Sequence, residues 1–140
     1  MTASQFLNVS NHTVAQWGRS QLEPLPGHCL SACDFGGSLI VDPEWGTEQL
    51  HGFARSVAET ILRGGWKHVH VAGEPGLVVS LVGILQGNGV VCWHTTTERR
   101  AVETVSSDGS VRKESQFRFV RWRMYPDMQQ LIRENMEISD

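Results

Sequence analysis

The sequence predicts an α/β fold, a mostly parallel sheet with helices on both faces and an antiparallel C-terminal hairpin or edge strand. Three observations lead there. Apolar runs of strand length alternate with apolar patterns of helical period in the order β-α-β-α-β-α-β. The connections between them are short and punctuated by Gly and Pro, as parallel strands joined by right-handed crossovers require. The last third of the chain instead alternates residue by residue around Asp108-Gly109, a hairpin signal.

Gln5 to Val9 reads as a short apolar strand. Ser10, Asn11 and Thr13 after it are good N-cap types, so a helix is expected from about Val14 to Leu22, stopped by Glu23-Pro24-Leu25-Pro26-Gly27. His28 to Cys33 reads as a second strand, Asp34-Phe35-Gly36-Gly37 as a turn, and Ser38 to Val41 as extended chain running into Asp42-Pro43. From Thr47 to Arg63, Leu50, Phe53, Ala54, Val57, Ala58, Ile61 and Leu62 recur at intervals of three and four, which marks one buried helical face ended by Gly64-Gly65. Val69 to Ala72 is the central strand. Leu77 to Leu85 is a helix apolar nearly all round, stopped by Gln86-Gly87-Asn88-Gly89.

Val90 to His94 reads as the fourth strand. A hairpin follows, Ala101 to Val105 against Val111 to Glu114, turning at Ser106-Ser107-Asp108-Gly109. Phe117 to Tyr125 alternates apolar residues with arginines, giving a strand with one buried and one basic face; strict alternation puts Arg121 and Arg123 together and Arg118 opposite. Pro126 ends it, and Met128 to Met136 is a candidate C-terminal helix. The expected organisation is thus one Rossmann-like α/β domain over residues 1–126 and a C-terminal helix or tail over 127–140.

Bulk properties narrow the function. With 140 residues, 40% of them apolar, the chain is large enough for one real core. A formal net charge of −3 provides no basic field to hold duplex DNA, so any nucleic-acid ligand has to be small and captured locally. No run of about 20 apolar residues is present to span a membrane, and Met1-Thr2-Ala3-Ser4-Gln5 lacks the features of a signal peptide. Cys29, Cys33 and Cys92 are an odd, sparse set suited to a reducing compartment, and the cytoplasm is the expected location.

Three clusters fall where strands end and helices begin, the place where open α/β sheets bind ligands. The first is Ser10-Asn11-His12: His12 has the chemistry of a general acid or base, with Ser10 and Asn11 to orient a phosphate or sugar hydroxyl, although both also serve as plain helix caps. The second is Gly73-Glu74-Pro75-Gly76, where Gly73 lets a ligand approach the backbone and the following helix N-terminus favours an anion. The third runs from Thr95 to Arg100, where Thr95, Thr96 and Thr97 with Arg99-Arg100 suit a ribose and phosphate, or else form a solvated hairpin entrance. The G-x-G-x-x-G and G-x-x-x-x-G-K-[ST] loops are absent. His68 and His70 share a strand face, but no Cys or carboxylate has convincing ligand spacing, so neither metal nor cofactor is expected.

Phe6-Leu7-Asn8-Val9-Ser10-Asn11-His12, Val41-Asp42-Pro43, His70-Val71-Ala72-Gly73-Glu74 and Thr97-Glu98-Arg99 occur in that order. On these motifs the chain resembles, from about Phe6 to Tyr125, the small single-domain Csx proteins of type III CRISPR systems. Those proteins are related to CARF (CRISPR-associated Rossmann fold) domains and include ring nucleases. The resemblance implies a homodimer that binds cyclic oligoadenylate across its two-fold axis. It also implies, in some members, metal-independent cleavage by a ribose 2′-hydroxyl, which ends an antiviral signal. Carried over, Ser10, Asn11 and His12 lie near the ring, Gly73 and Glu74 line its floor, and Thr96, Thr97 and Arg99 hold phosphates. His12, Ser10 and Arg99 are then the expected catalytic residues. A sensor or sponge that binds without turnover, and a scaffold subunit with no nucleotide, are the alternatives.

Overall fold

Gln5–Val9 forms β1 in the computed structural model, which describes residues 5–135. Ser31–Asp34 (β2) pairs with it on one side, and His68–Val71 (β3) on the other, both parallel. Val91–Val105 (β4) continues parallel to β3, and Val111–Met124 (β5) closes the five-stranded sheet antiparallel to β4, giving the order β2-β1-β3-β4-β5. The protein is therefore a mixed α/β fold with a mostly parallel sheet. Its strand order reverses at β1, which makes the gap between β1 and β3 the topological switch point. Among the described residues, no helix is long and apolar enough to cross a membrane.

The two faces of the sheet are covered differently. Thr47–Arg63 (α2) and Pro75–Gly87 (α3) pack together over one face. Ala54, Val57, Ala58 and Ile61 from α2 and Leu77, Leu81, Val82 and Leu85 from α3 meet Leu7, Val9, Val69, Val71 and Cys92 there. Each of these larger side chains contributes about 1.5–3 kcal/mol by leaving water. The side chain of Gln49 accepts a hydrogen bond from the Gly46 N–H at the start of α2 (2.9 Å), and Glu74 accepts one from the Leu77 N–H at the start of α3 (2.9 Å). The opposite face carries a smaller cluster, Phe6, Trp17 and Cys29, with Trp93 and Trp122 packed against it.

The segment over that second face departs from the expected helix at Val14 to Leu22. It forms a 3₁₀ turn at Val14–Gln16 and a single α-helical turn, Arg19–Leu22 (α1), separated by Trp17 and Gly18. Trp17 is drawn into the aromatic cluster and is only 9% exposed, and both flanking residues, Trp17 and Gly18, are extended. Burial of an indole outweighs the small gain from one continuous helix of this length. The second strand likewise begins at Ser31 rather than His28, because Pro26–His28 forms another 3₁₀ turn.

The largest departure lies in the C-terminal half. The expected fourth strand, hairpin and arginine-bearing strand are two long strands: β4 runs through Thr95–Arg100 without a break, and β5 runs from Val111 through Phe117 to Met124. β4 pairs with β3 only over Val91–Trp93. Beyond that point, β4 and β5 project as a two-stranded arm, closed by a turn in which Gly109 adopts φ +85°. A bulge between Thr96 and Thr97 leaves Val120 as the extra residue, pairing Thr96 with Arg121 but Thr97 with Phe119. The bulge resets the alternation. Arg118, Arg121 and Arg123 therefore share one face, opposite Glu98, Thr96 and His94, instead of being split between two. Met128–Asn135 (α4) follows; Gln86 ties it to α3 by donating to the Pro126 carbonyl (2.8 Å) and accepting from the Met128 N–H (2.9 Å). Met136, the expected helix end, the rest of the tail to residue 140, and residues 1–4 lie outside the described residues.

Candidate functional site

The sheet register lines up four side chains in one row across the second face: Asp34 of β2, Asn8 of β1, His70 of β3 and Trp93 of β4. Three of them are joined by hydrogen bonds. The Asn8 Nδ2 donates to Asp34 Oδ1 (2.8 Å) and to the His12 carbonyl. Its Oδ1 faces the Ser10 hydroxyl (2.8 Å) and the His70 Nδ1 (2.8 Å). Asp34 Oδ1 also accepts from the Val14 N–H at 2.9 Å, which pins the turn after β1 to the row.

This network fixes the protonation of His70. Two acceptors hold the amide nitrogen of Asn8, so its oxygen must face the imidazole, and an amide oxygen only accepts. His70 Nδ1 therefore carries the proton. Burial, assisted by the charge of His94, pushes the His70 pKa down to about 4, so the ring is neutral near pH 7 and Nε2 is a bare lone pair. His70 is 5% exposed, and its Nε2 is buried with no hydrogen-bond partner among the described residues. An orphaned acceptor costs about 1–3 kcal/mol, so its presence calls for a reason. Trp17 and Trp122 pack edge-on against the ring and each other, their centroids 5.7 and 5.2 Å from the imidazole at 73° and 75° and 5.3 Å apart. The Trp122 indole is anchored by donating to the Gln21 carbonyl (3.1 Å).

Above this row, at the carboxyl ends of β1 and β3, lies a cleft of about 290 Å³ lined by Ser10, His12, Gln16, Trp17, Gln21, His70, Ala72 and Thr95. It sits at the switch point, where such sheets place ligands. A larger cavity of about 500 Å³ beside Gln86, Val90 and Tyr125 lies near the start of β4, and its lining contains no orphaned buried polar atom.

Of the residues singled out from sequence, Ser10, His12 and Thr95 meet at this cleft. Ser10 is engaged with Asn8 and the His12 carbonyl (3.0 Å), which spends its single proton within the protein and leaves its oxygen as an acceptor. Asn11 lies in the exposed turn beside the cleft and is not among its lining residues. Gly73 adopts φ +147° with open space where a Cβ would stand, so its backbone angle, not crowding, demands glycine. Glu74 caps α3. Thr96 points by alternation to the opposite face, toward Arg121.

Arg99 is not in the cleft. It stands four residues beyond Thr95 on the arm, about 13 Å along the strand, and its guanidinium donates to the Ser115 hydroxyl (2.8 and 3.1 Å). It nevertheless shares the face of Thr95 and Thr97, whose partners Trp122, Phe119 and Phe117 form an aromatic strip leading out from the cleft. Four contributors escaped sequence reasoning: Asn8, Asp34, Trp17 and Trp122. Only the Asn8–Asp34–His70 row had a visible trace, as polar residues inside otherwise apolar strands.

No lysine or arginine among the described residues lines the cleft. Among the described residues, no group of three or more His, Cys, Asp or Glu could hold a metal ion. Burial raises the thiol of Cys92 to about 12 and also raises that of Cys29, so neither is a reactive thiolate. What the arrangement offers is a polar rim that includes Ser10, Thr95 and His12, one indole wall from Trp17, and a fixed acceptor at depth.

Neither a curated protein nor a solved structure matches the chain. The stretch from Leu39 to Arg123, which carries α2, β3, α3, β4 and most of β5 and so includes His70, Thr95 and Arg99, matches the Uncharacterized protein MJ1673 family, and the chain belongs to that family.

Proposed function

We propose that the chain binds a cyclic oligoadenylate at this cleft and opens the ring without a metal. The observation that carries the reading is the cleft itself: at the β1/β3 switch point, Ser10, His12 and Thr95 rim a pocket, and Thr97, Arg99, Phe119 and Phe117 follow on the same face of the arm beyond Thr95. Rossmann-like sheets whose strand order reverses in this way bind nucleotides at the same point, and aromatic strips accept nucleobases. A pocket of about 290 Å³ holds one nucleotide unit, so a whole ring is shared between two copies facing each other.

In the reaction, the ribose 2′-hydroxyl gives its proton to His12 and forms a bond to the adjacent phosphorus. The bond from phosphorus to the 5′-oxygen breaks, and that oxygen takes up a proton, leaving a 2′,3′-cyclic phosphate and a 5′-hydroxyl end. Alignment supplies most of the acceleration. Arg99, at the outer end of the strip, is the cation available to the phosphates. The lack of any lysine or arginine in the cleft lining favours a second reading, a sensor or sponge that holds the ring without cutting it.

Incubation with cyclic tetra-adenylate in EDTA, followed by chromatography and thermal shift, tests both readings. Linear products are expected. A stabilised but intact ring means binding alone. If neither the tetra- nor the hexa-adenylate ring is bound or cut, the nucleotide reading is wrong.

A further inference from the structure

We propose that His70 is the base-recognition residue of the cleft, its Nε2 accepting a hydrogen bond from the exocyclic 6-amino group of an adenine. The inference rests on the nucleotide reading of the cleft and adds to it the residue that reads the base. Three observations carry it. His70 Nε2 is buried and without a partner, on a residue that lines the cleft. The Asp34–Asn8 pair holds the ring in the Nδ1–H tautomer at 2.8 Å, so Nε2 is available only as an acceptor. Trp17, which lines the cleft, packs together with Trp122 against the imidazole, and among the described residues no lysine or arginine lines the cleft, so the site favours a flat aromatic ring over a phosphate at this depth.

An acceptor locked in place discriminates by what faces it. Adenine offers an N–H at position 6, whereas hypoxanthine and guanine offer an oxygen whose lone pair opposes that of Nε2. A site built around one hydrogen bond rejects the analogue that cannot make it far more strongly than an apolar pocket does, because the buried partner is then left unpaired. The Asp34–Asn8 relay does the positioning: without it the imidazole is free to take the other tautomer and turn a donor toward the ligand.

The experiment uses the intact chain. Long-range ¹H–¹⁵N spectra of the histidine rings report the tautomer directly, and AMP and IMP are titrated in parallel, followed through the indole signals of Trp17 and Trp122. The expected result is an unprotonated Nε2 in the free protein, an upfield ¹⁵N shift of that atom on adding AMP, and AMP binding at least about tenfold tighter than IMP. His70→Phe keeps an aromatic ring and is expected to erase the preference. An Nε2-protonated His70 in the free protein overturns the inference whatever binds. Equal binding of AMP and IMP in the cleft also overturns it, while leaving the cleft as a nucleotide site. Binding of neither mononucleotide, with cyclic tetra-adenylate also unbound, refutes the nucleotide reading and removes the inference with it. Should His70→Phe fail to fold, the tautomer and the AMP/IMP ratio of the unaltered chain decide.

Discussion

Acid should destabilise this protein through His70 in a window that the structure defines. The imidazole is neutral in the folded state, with its pKa pushed down to about 4 chiefly by burial, and returns to its ordinary value of about 6.5 when the chain unfolds. Between those values the unfolded chain binds a proton that the folded chain does not. The stability contributed by keeping His70 neutral is therefore complete above about pH 6.5 and is lost progressively as the pH falls toward 4. For these two pKa values, linkage gives a loss of about 2 kcal/mol between pH 7.5 and pH 5.0, or roughly 6 °C in melting temperature for a chain of this size. Urea denaturation of the unaltered protein and of His70→Gln at pH 7.5, 6.0 and 5.0 measures it. Subtracting the two curves cancels what the other titratable groups contribute. The unaltered protein should lose about 2 kcal/mol more than the variant across that interval. Parallel curves, agreeing within about 0.5 kcal/mol, would refute the assignment of a buried neutral imidazole.

Four further outcomes are expected. Asp34→Ala removes the acceptor that orients Asn8 and anchors the Val14 N–H, so it should cost about 1–3 kcal/mol and, in the ring ¹⁵N spectrum, release the fixed His70 tautomer. Replacing residues 101–115 by Asn-Gly, which joins the directly paired Arg100 and Gln116, shortens an arm that no third strand supports; the melting temperature should move by no more than about 3 °C, and a large loss would mean the arm is integral to the core. Arg99→Ala should weaken cyclic tetra-adenylate by about 1.5–3 kcal/mol yet leave AMP unaffected, since a single nucleotide in the cleft does not reach along the arm; equal losses for both ligands in calorimetry would place Arg99 in the cleft after all. Leu81→Ala, in the centre of the α2–α3 core, should cost about 2–5 kcal/mol by chemical denaturation.

The sequence by itself determined the elements whose pattern is local. Helix α2 spans Thr47–Arg63 as its apolar spacing requires, because an amphipathic face of that length has one way to be buried. β1 and the Asp108-Gly109 turn were equally legible: the first from a short apolar run, the second from a residue pair suited to positive φ. Ser10, His12 and Thr95 reach the same cleft because parallel strands deliver their carboxyl ends to one side of a sheet.

Only the tertiary structure decided the rest. Whether Thr95–Arg100 forms a loop or a strand depends on a partner more than fifteen residues away, and pairing with β5 made it strand, carrying Arg99 out along an arm. One bulge at Val120 then moved Arg118 to the face of Arg121 and Arg123, a change of phase that strict alternation cannot anticipate. The Asp34–Asn8–His70 row is a matter of register among three strands, from distant parts of the chain. Polar residues so placed look like flaws in apolar strands until the sheet aligns them, when their hydrogen bonds fix a tautomer and leave one nitrogen without a partner.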